Sequence, residues 1–330
     1  MADSNKSGLT MQAWVASGYG GPEVLVLKDV PRPTPGDDEV LVQIRSTTVT
    51  AGDARLRSLN LPRGFGAIGR LMFGFTRPRQ PVFGSEFSGI VEAAGRRVDS
   101  FKPGDAVVGS TEVSLGCHAQ FRVVSATRAI VHKPASLSFH EAACLCFGGN
   151  TALHFLRKAK LAAGERMLVI GASGAVGSAM VQLAVHGGAR VTGVASARNI
   201  ELVRSLGAAS VIDYTSEDYH APGQSYDIIA DTVGATSFGR CLPLLSEHGR
   251  FLAVAADLKG MFARPKGARR SIAGHACVRV EDLATLCGLA KSGRFKPVID
   301  AVYDFSRLPE AHAYVDTRRK RGNVVVSVSA

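Results

Sequence analysis

The sequence predicts an α/β protein of two units: a β-rich one, and one built on a doubly wound parallel sheet. Three observations carry this. A length of 330 residues leaves room for two domains at about 150 residues each. The first 145 residues hold short β-branched or apolar runs punctuated by Gly and Pro, the pattern of a barrel-like antiparallel unit. Between residues 167 and 254, apolar runs alternate with stretches of helical spacing, which marks βαβ units and a parallel sheet.

The predicted strands of the first unit are 24–27, 39–44, 89–93, 106–109 and 121–124. Turn sequences such as Pro33-Thr34-Pro35-Gly36-Asp37 and Lys102-Pro103-Gly104-Asp105 separate them, because Pro presets φ and Gly supplies positive φ. Residues 167–170 form a strand without polar alternation, so both of its faces are expected to be buried. A helix over 175–185, a strand at 190–194, a helix near 200–206 and a strand at 210–213 follow. A strand at 226–230, a helix near 237–245 and a strand at 250–254 extend the alternation. The tail returns to strand-like runs at 297–300 and 324–326, and no internal repeat interrupts the chain.

Composition excludes several classes. Apolar residues make up 46% and charged residues 20%, enough to bury a core, so the chain as a whole is not disordered. The 36 glycines have no G-X-Y period, which excludes collagen. No apolar run approaches the ~18 residues that cross a bilayer. The polar start, Met1-Ala2-Asp3-Ser4-Asn5-Lys6, predicts no secretory signal. Six cysteines without C-x-x-C spacing predict buried thiols in a reducing cytoplasm rather than a disulfide framework. The net charge is +11, with short basic clusters at 96–97, 264–270 and 318–321. None is interleaved with aromatics, so a solvated basic surface is expected and a nucleic-acid platform is not.

The strongest chemical signal is Gly171-Ala172-Ser173-Gly174-Ala175-Val176-Gly177, placed where a strand ends and a helix begins. Glycine there lets the backbone approach a pyrophosphate, whose charge meets free N–H groups at the helix start. An ordinary strand-to-helix turn is the plain alternative. The next strand chooses the cofactor. It ends Val194-Ala195-Ser196-Ala197-Arg198-Asn199, and the first acid, Glu201, already belongs to the following helix. A hydroxyl and a guanidinium suit a ribose 2′-phosphate, which a carboxylate would repel. NADP(H) is therefore expected, held by Gly171, Ala172, Ser173, Gly174, Ala175, Val176, Ser196 and Arg198, with Tyr214 in reach of the same phosphate. Alternatively, Arg198 is an exposed helix-start residue and Tyr214 packs at a strand edge.

Other nicotinamide chemistries leave traces that are missing. No Tyr has a Lys four residues later, as short-chain dehydrogenases require. Cys117-His118 and Cys144/Cys146 are the only candidates for zinc ligands, and a Cys-x-Cys on an apolar helix is expected to be core. His140-Glu141 lacks the second His of a metalloprotease motif.

With these features in hand, the chain resembles the medium-chain dehydrogenase/reductase superfamily, in its zinc-free quinone oxidoreductase (zeta-crystallin-like) branch. The resemblance spans nearly the whole length. It rests on Gly84-Ser85-Glu86-Phe87-Ser88-Gly89-Ile90-Val91, Phe101-Lys102-Pro103-Gly104-Asp105, Asn150-Thr151-Ala152-Leu153, the glycine loop, Leu206-Gly207-Ala208, Tyr226-Asp227, Asp231-Thr232-Val233-Gly234 and Arg321-Gly322-Asn323-Val324-Val325. It implies a GroES-like catalytic domain over 1–145 and 296–330, with a Rossmann domain inserted over 146–295 and the active site in the cleft between them. Zinc-binding relatives carry a Cys shortly before Asp53 and a His in a Gly-His-Glu motif. Here the stretches read Val49-Thr50-Ala51-Gly52-Asp53 and Gly84-Ser85-Glu86, so no metal is expected. The resemblance further implies Thr151 and Asn323 as contacts near the nicotinamide, Val233 beside the cofactor, and a homodimer.

The expected reaction is hydride transfer from NADPH to a quinone or to an activated alkene such as an enone. The carbonyl would be polarised by hydrogen bonds from Thr50, which stands where the branch usually has Asn, from a nicotinamide ribose hydroxyl or from water, with Asp53 in support from behind. Residues 57–81, with Leu71-Met72-Phe73-Gly74-Phe75 at their centre, are expected to form an apolar lid, or else a loop covered by a neighbouring subunit. A zinc-dependent alcohol dehydrogenase and a non-catalytic NADP(H)- or RNA-binding relative are the alternatives.

Overall fold

The computed structural model describes residues 10–61 and 64–328; the polar start and residues 62–63 of the expected lid lie outside them. Two large sheets carry the chain. The first contains β3 (Glu39–Val49), β4 (Glu86–Ala94), β5 (Ala106–Ser110), β6 (Phe121–Ser125), β7 (Ile130–His132), β14 (Ile299–Asp304) and β15 (Asn323–Ser327). Its order is β14-β15-β3-β4-β5-β7, with β6 also paired to β3. All of its pairings are antiparallel except β14 with β15. A hairpin of β1 (Thr10–Ala16) and β2 (Leu25–Pro31) packs beside it, and Trp14, Phe83, Phe87 and Val324 share one core.

The second sheet contains β8 (Arg166–Ile170), β9 (Arg190–Ala195), β10 (Ser210–Asp213), β11 (Tyr226–Asp231), β12 (Leu245–Ala253) and β13 (Arg270–Ala273). It is wholly parallel, in the order β10-β9-β8-β11-β12-β13. Counted from β8 this is 3-2-1-4-5-6, the doubly wound order whose switch point lies between the first and fourth strands. Met167, Leu168 and Val169 are fully buried, as an unalternating strand covered on both faces must be. Because β14 and β15 rejoin the first sheet, the parallel unit is an insertion within the β-rich one.

Some elements differ from the expectation. The helix near 237–245 runs only over Phe238–Cys241, then tightens into a 3₁₀ turn at Leu242–Leu244 that has Pro in its first turn. Proline has no N–H to continue the α-helix, and the chain enters β12 five residues early. β1 and β13 mix polar and apolar residues, so periodicity did not reveal them. Helix Ala51–Ser58 was also unpredicted. Its Thr50 and Asp53 form a capping box, in which each side chain accepts the other's backbone N–H.

Two contacts tie the segment before β15 to the glycine loop. The Gly322 N–H donates to the Ser173 carbonyl at 2.8 Å, and Gly174 and Gly322 form a parallel bridge. A helical run passes from one sheet to the other: Phe139–Ala143, a π turn at Leu145–Asn150, and Thr151–Ala159.

Among the described residues, Arg57 is the largest fully buried side chain. Its guanidinium donates to Gly20 O at 2.6 Å and His312 Nδ1 at 3.3 Å, and pairs with Asp316. It thus joins helix Ala51–Ser58 to helix Leu308–Asp316. Removing one partner of a buried pair costs ~3–5 kcal/mol, and because Asp316 reaches water, Arg57→Met is expected to cost about 2–3 kcal/mol, measured by urea unfolding.

Candidate active site

A cavity of about 980 Å³ opens between the two sheets, lined by residues of both. Its floor is the glycine loop after β8. Gly171 has φ +80°, and a Cβ there would lie 2.5 Å from Val233 Cγ1. At Gly177 a Cβ would meet the Gly171 carbonyl at 2.1 Å, so glycine is what lets helix Ala175–His186 seat against the strand end. Gly174 is the N-cap and supplies no side-chain cap. A Cβ on it would meet nothing nearer than Gly171 O at 3.5 Å, so the space beyond is open. The first N–H groups of a helix lack intrahelical partners and carry its positive end. Gly174, Ala175 and Val176 line the cavity at that end.

Of the other expected cofactor contacts, Thr151, Gly171, Ser173, Ser196, Arg198, Tyr214 and Val233 line the same cavity. Two do not. Ala172 is fully buried, its methyl packed under Gly193. Asn323 is buried and spends its amide on Val298 O at 2.9 Å, which turns it away from the cavity.

The end of β9 is strongly cationic. Arg198 donates to the Arg319 carbonyl at 2.7 Å, and Arg318 and Arg319 join Ser196, Arg198 and Tyr214 on the lining. The basic run at 318–321, expected to be plain solvated surface, therefore contributes three residues to the site. Glu201 lies outside the lining and pairs with Arg204 at 2.8 Å.

Thr50 and Asp53 line the cavity but are occupied. The Thr50 hydroxyl donates to Asp53 Oδ2 at 2.6 Å and accepts the Asp53 N–H. Asp53 also accepts the N–H groups of Thr50 and Gly84. Within this arrangement the pair holds a helix start and a loop together, and the hydroxyl proton is already used. Of the expected lid, Arg57, Ser58 and Asn60 line the cavity and none of residues 64–81 does; Leu71, Met72 and Phe75 are exposed. Arg57, at the other end of the expected lid, is locked in the core.

Two family descriptions match the chain: an alcohol dehydrogenase GroES-like domain over residues 36–135 and a zinc-binding dehydrogenase over residues 206–326. An NADPH-dependent alkenal/one oxidoreductase of Arabidopsis thaliana is 31% identical, over 96% of this chain and 79% of its own length. A 2-methylene-furan-3-one reductase of Solanum lycopersicum is also 31% identical, with the same coverage of each chain. The solved quinone oxidoreductase of Coxiella burnetii superposes with a TM-score of 0.87 at 28% identity, covering 97% of this chain and all of the other. The chain belongs to the medium-chain dehydrogenase/reductase superfamily. Within the superfamily it falls in the quinone oxidoreductase branch, and it is an oxidoreductase.

This medium-chain dehydrogenase/reductase brings further polar groups into the cleft. Glu86, on β4, lines the cavity yet is almost wholly buried. It accepts the Thr48 hydroxyl on Oε1 and the Phe147 N–H on Oε2 at 2.5 Å. Burial pushes its pKa up to about 7 against those two hydrogen bonds. Lys320 Nζ donates to Gly322 O at 2.6 Å, and burial draws it down to about 8, opposed by Cys144, Glu86 and Asp300. Neither residue was singled out from sequence. Glu86 stands in a quoted motif and Lys320 in a noted charge run, but only the fold sets them around one cavity. The cysteines weighed as zinc ligands, Cys117, Cys144 and Cys146, are all buried. Burial pushes the Cys117 thiol up to about 12 and those of Cys144 and Cys146 well up. His118 bonds the Thr48 carbonyl at 3.0 Å.

The raised pKa of Glu86 makes stability depend on pH. A carboxyl that holds its proton more tightly folded than unfolded supports the fold most below its unfolded pKa, near 4.5, and that support is lost as pH rises through about 7. Melting of the wild type relative to Glu86→Gln should therefore fall between pH 5 and pH 8. Parallel curves for the two proteins would contradict the assignment.

Proposed function

We propose that the protein is an NADPH-dependent oxidoreductase that reduces a quinone or an activated alkene such as an enone without a metal. The observation that carries this is that an uncapped helix start and Ser196, Arg198, Arg318 and Arg319 line one cavity. The names of the relatives agree with it. A dinucleotide fits the donor set: open space beyond Gly174, free N–H groups for a pyrophosphate, and three guanidinium groups for a 2′-phosphate. Bound there, NADPH would supply the hydride.

The chain's own residues do the rest. The first turn of helix Ala175–His186 holds the pyrophosphate. Ser196 and Arg198, backed by Arg318 and Arg319, select the 2′-phosphate. Lys320 adds a cation beside the glycine loop, to which Gly322 ties it. Glu86 keeps a proton on the cavity wall near neutral pH, available to the α carbon of an enone or a quinone oxygen. The metal-free reading is supported by the hydroxyls of Thr50 and Ser85 where zinc-binding relatives place ligands. Of the cysteines only Cys146 lines the cavity, and its thiol donates to Gly109 O at 3.3 Å. The six unpaired cysteines fit a reducing compartment.

Consumption of NADPH and NADH against a panel of quinones and enones, with EDTA present, tests the proposal. NADPH should be preferred by ~10–100-fold in kcat/KM, the worth of one charge-assisted contact, and Arg198→Ala should lose most of that preference. Equal or better use of NADH, or no turnover with either, would overturn it.

Lys320 adds a pH dependence. As it loses its proton above about 8, KM for NADPH should climb by ~10-fold between pH 7 and pH 9, and Lys320→Met should flatten that slope.

A further inference from the structure

The cavity rim carries a second set of functional side chains that the proposed reaction does not use. Glu112 stands in the turn Glu112–Ser114 behind β5. His275 and Cys277 lie in the segment behind β13. One oxygen of Glu112, one ring nitrogen of His275 and the Cys277 sulfur all lie within 4.8 Å of one another. Glu112 and His275 line the cavity, and His275 and Cys277 are exposed at its edge.

The arrangement is held from both sides. Glu112 has a left-handed φ of +48°, sparsely populated for a residue with a side chain. Its Oε1 accepts the Val278 N–H at 2.9 Å and lies 3.9 Å from His275 Nε2. Asn150 Nδ2 donates to the Cys277 carbonyl at 3.2 Å, fixing the backbone beneath the thiol. Among the described residues, Cys277 is the one exposed thiol. This is also the one grouping of three His, Cys, Asp or Glu side chains at ligand spacing among them.

We infer that Glu112, His275 and Cys277 form a binding site for zinc or a zinc-like divalent cation, which ties the segment behind β5 to the segment behind β13 across the cavity rim. Sulfur, imidazole and carboxylate are the donors zinc takes, whereas calcium and magnesium take oxygen. Tetrahedral bonds of ~2.0–2.3 Å place ligand atoms ~3.3–3.8 Å apart, so small side-chain rotations close the present spacing. Three protein donors leave a fourth position for water. Binding converts the Cys277 thiol to thiolate and releases its proton to solvent.

The test uses the full-length protein freed of metal with a chelator. One equivalent of Co²⁺ should bring up a thiolate-to-cobalt charge-transfer band and tetrahedral visible bands. Cys277→Ser should abolish the charge-transfer band. His275→Ala should weaken cobalt binding by more than the ~10–100-fold that loss of a mere supporting group costs. One equivalent of Zn²⁺ should also protect Cys277 of the wild type from alkylation. A cobalt spectrum without the thiolate band, a band that survives Cys277→Ser, or alkylation that Zn²⁺ does not slow would overturn the inference. None of these readouts depends on turnover, so they stand or fall apart from the reductase reading.

Discussion

The rest of the structure depends on an unmet charge: the bare start of helix Ala175–His186. An ordinary helix would cap its first N–H groups with a Ser, Thr, Asp or Asn side chain. Gly174 supplies none, and the loop before it is packed so tightly that glycine is needed at Gly171 and Gly177. The result is a positive end aimed into a cavity rather than into solvent or core. Both sheets are arranged around it. The parallel sheet sets the helix at its switch point, and the chain's tail returns from the first sheet to hold the loop through the Gly322–Ser173 hydrogen bond.

That return makes the basic tail matter. Arg318, Arg319 and Lys320 follow directly on helix Leu308–Asp316, whose Asp316 is held by Arg57. The helix therefore delivers cations to the cavity at a fixed place. A like-charged cluster is costly to assemble in a cleft, where fields are less screened than at the surface. On the same cavity as a bare helix start, it forms a set of donors that an anion would complete.

Two titratable groups of the cavity lining follow a different logic. Glu86 and Lys320 are both drawn toward neutrality by burial, and such shifts gather where groups must exchange protons or bind charge. Thr50 and Asp53 show the contrary case. They are buried too, but they satisfy each other, and their chemistry is spent on holding a helix start.

Much of the molecule was legible in the sequence. The unalternating run at 167–170, the glycines after it and the absence of an acid at the end of β9 are local properties, and local physics reads them: burial on both faces, close backbone approach, charge. The strand–helix alternation gave the parallel sheet by the same route. What lay beyond reach were facts of juxtaposition. Nothing near residue 320 says that it will stand beside the glycine loop, and nothing near Glu112 says that it will meet Cys277. Thr50 offered a free hydroxyl on paper; folding turned it into a cap. Asn323 offered an amide, and folding pointed it at Val298. The sequence by itself determined most strands and helices of the parallel unit, the glycine loop and the lack of an acid at the end of β9, because each depends on neighbours within a few residues. Tertiary structure alone decided which polar atoms remained free to act, because a hydrogen bond or a buried charge is settled by whatever the fold brings within reach.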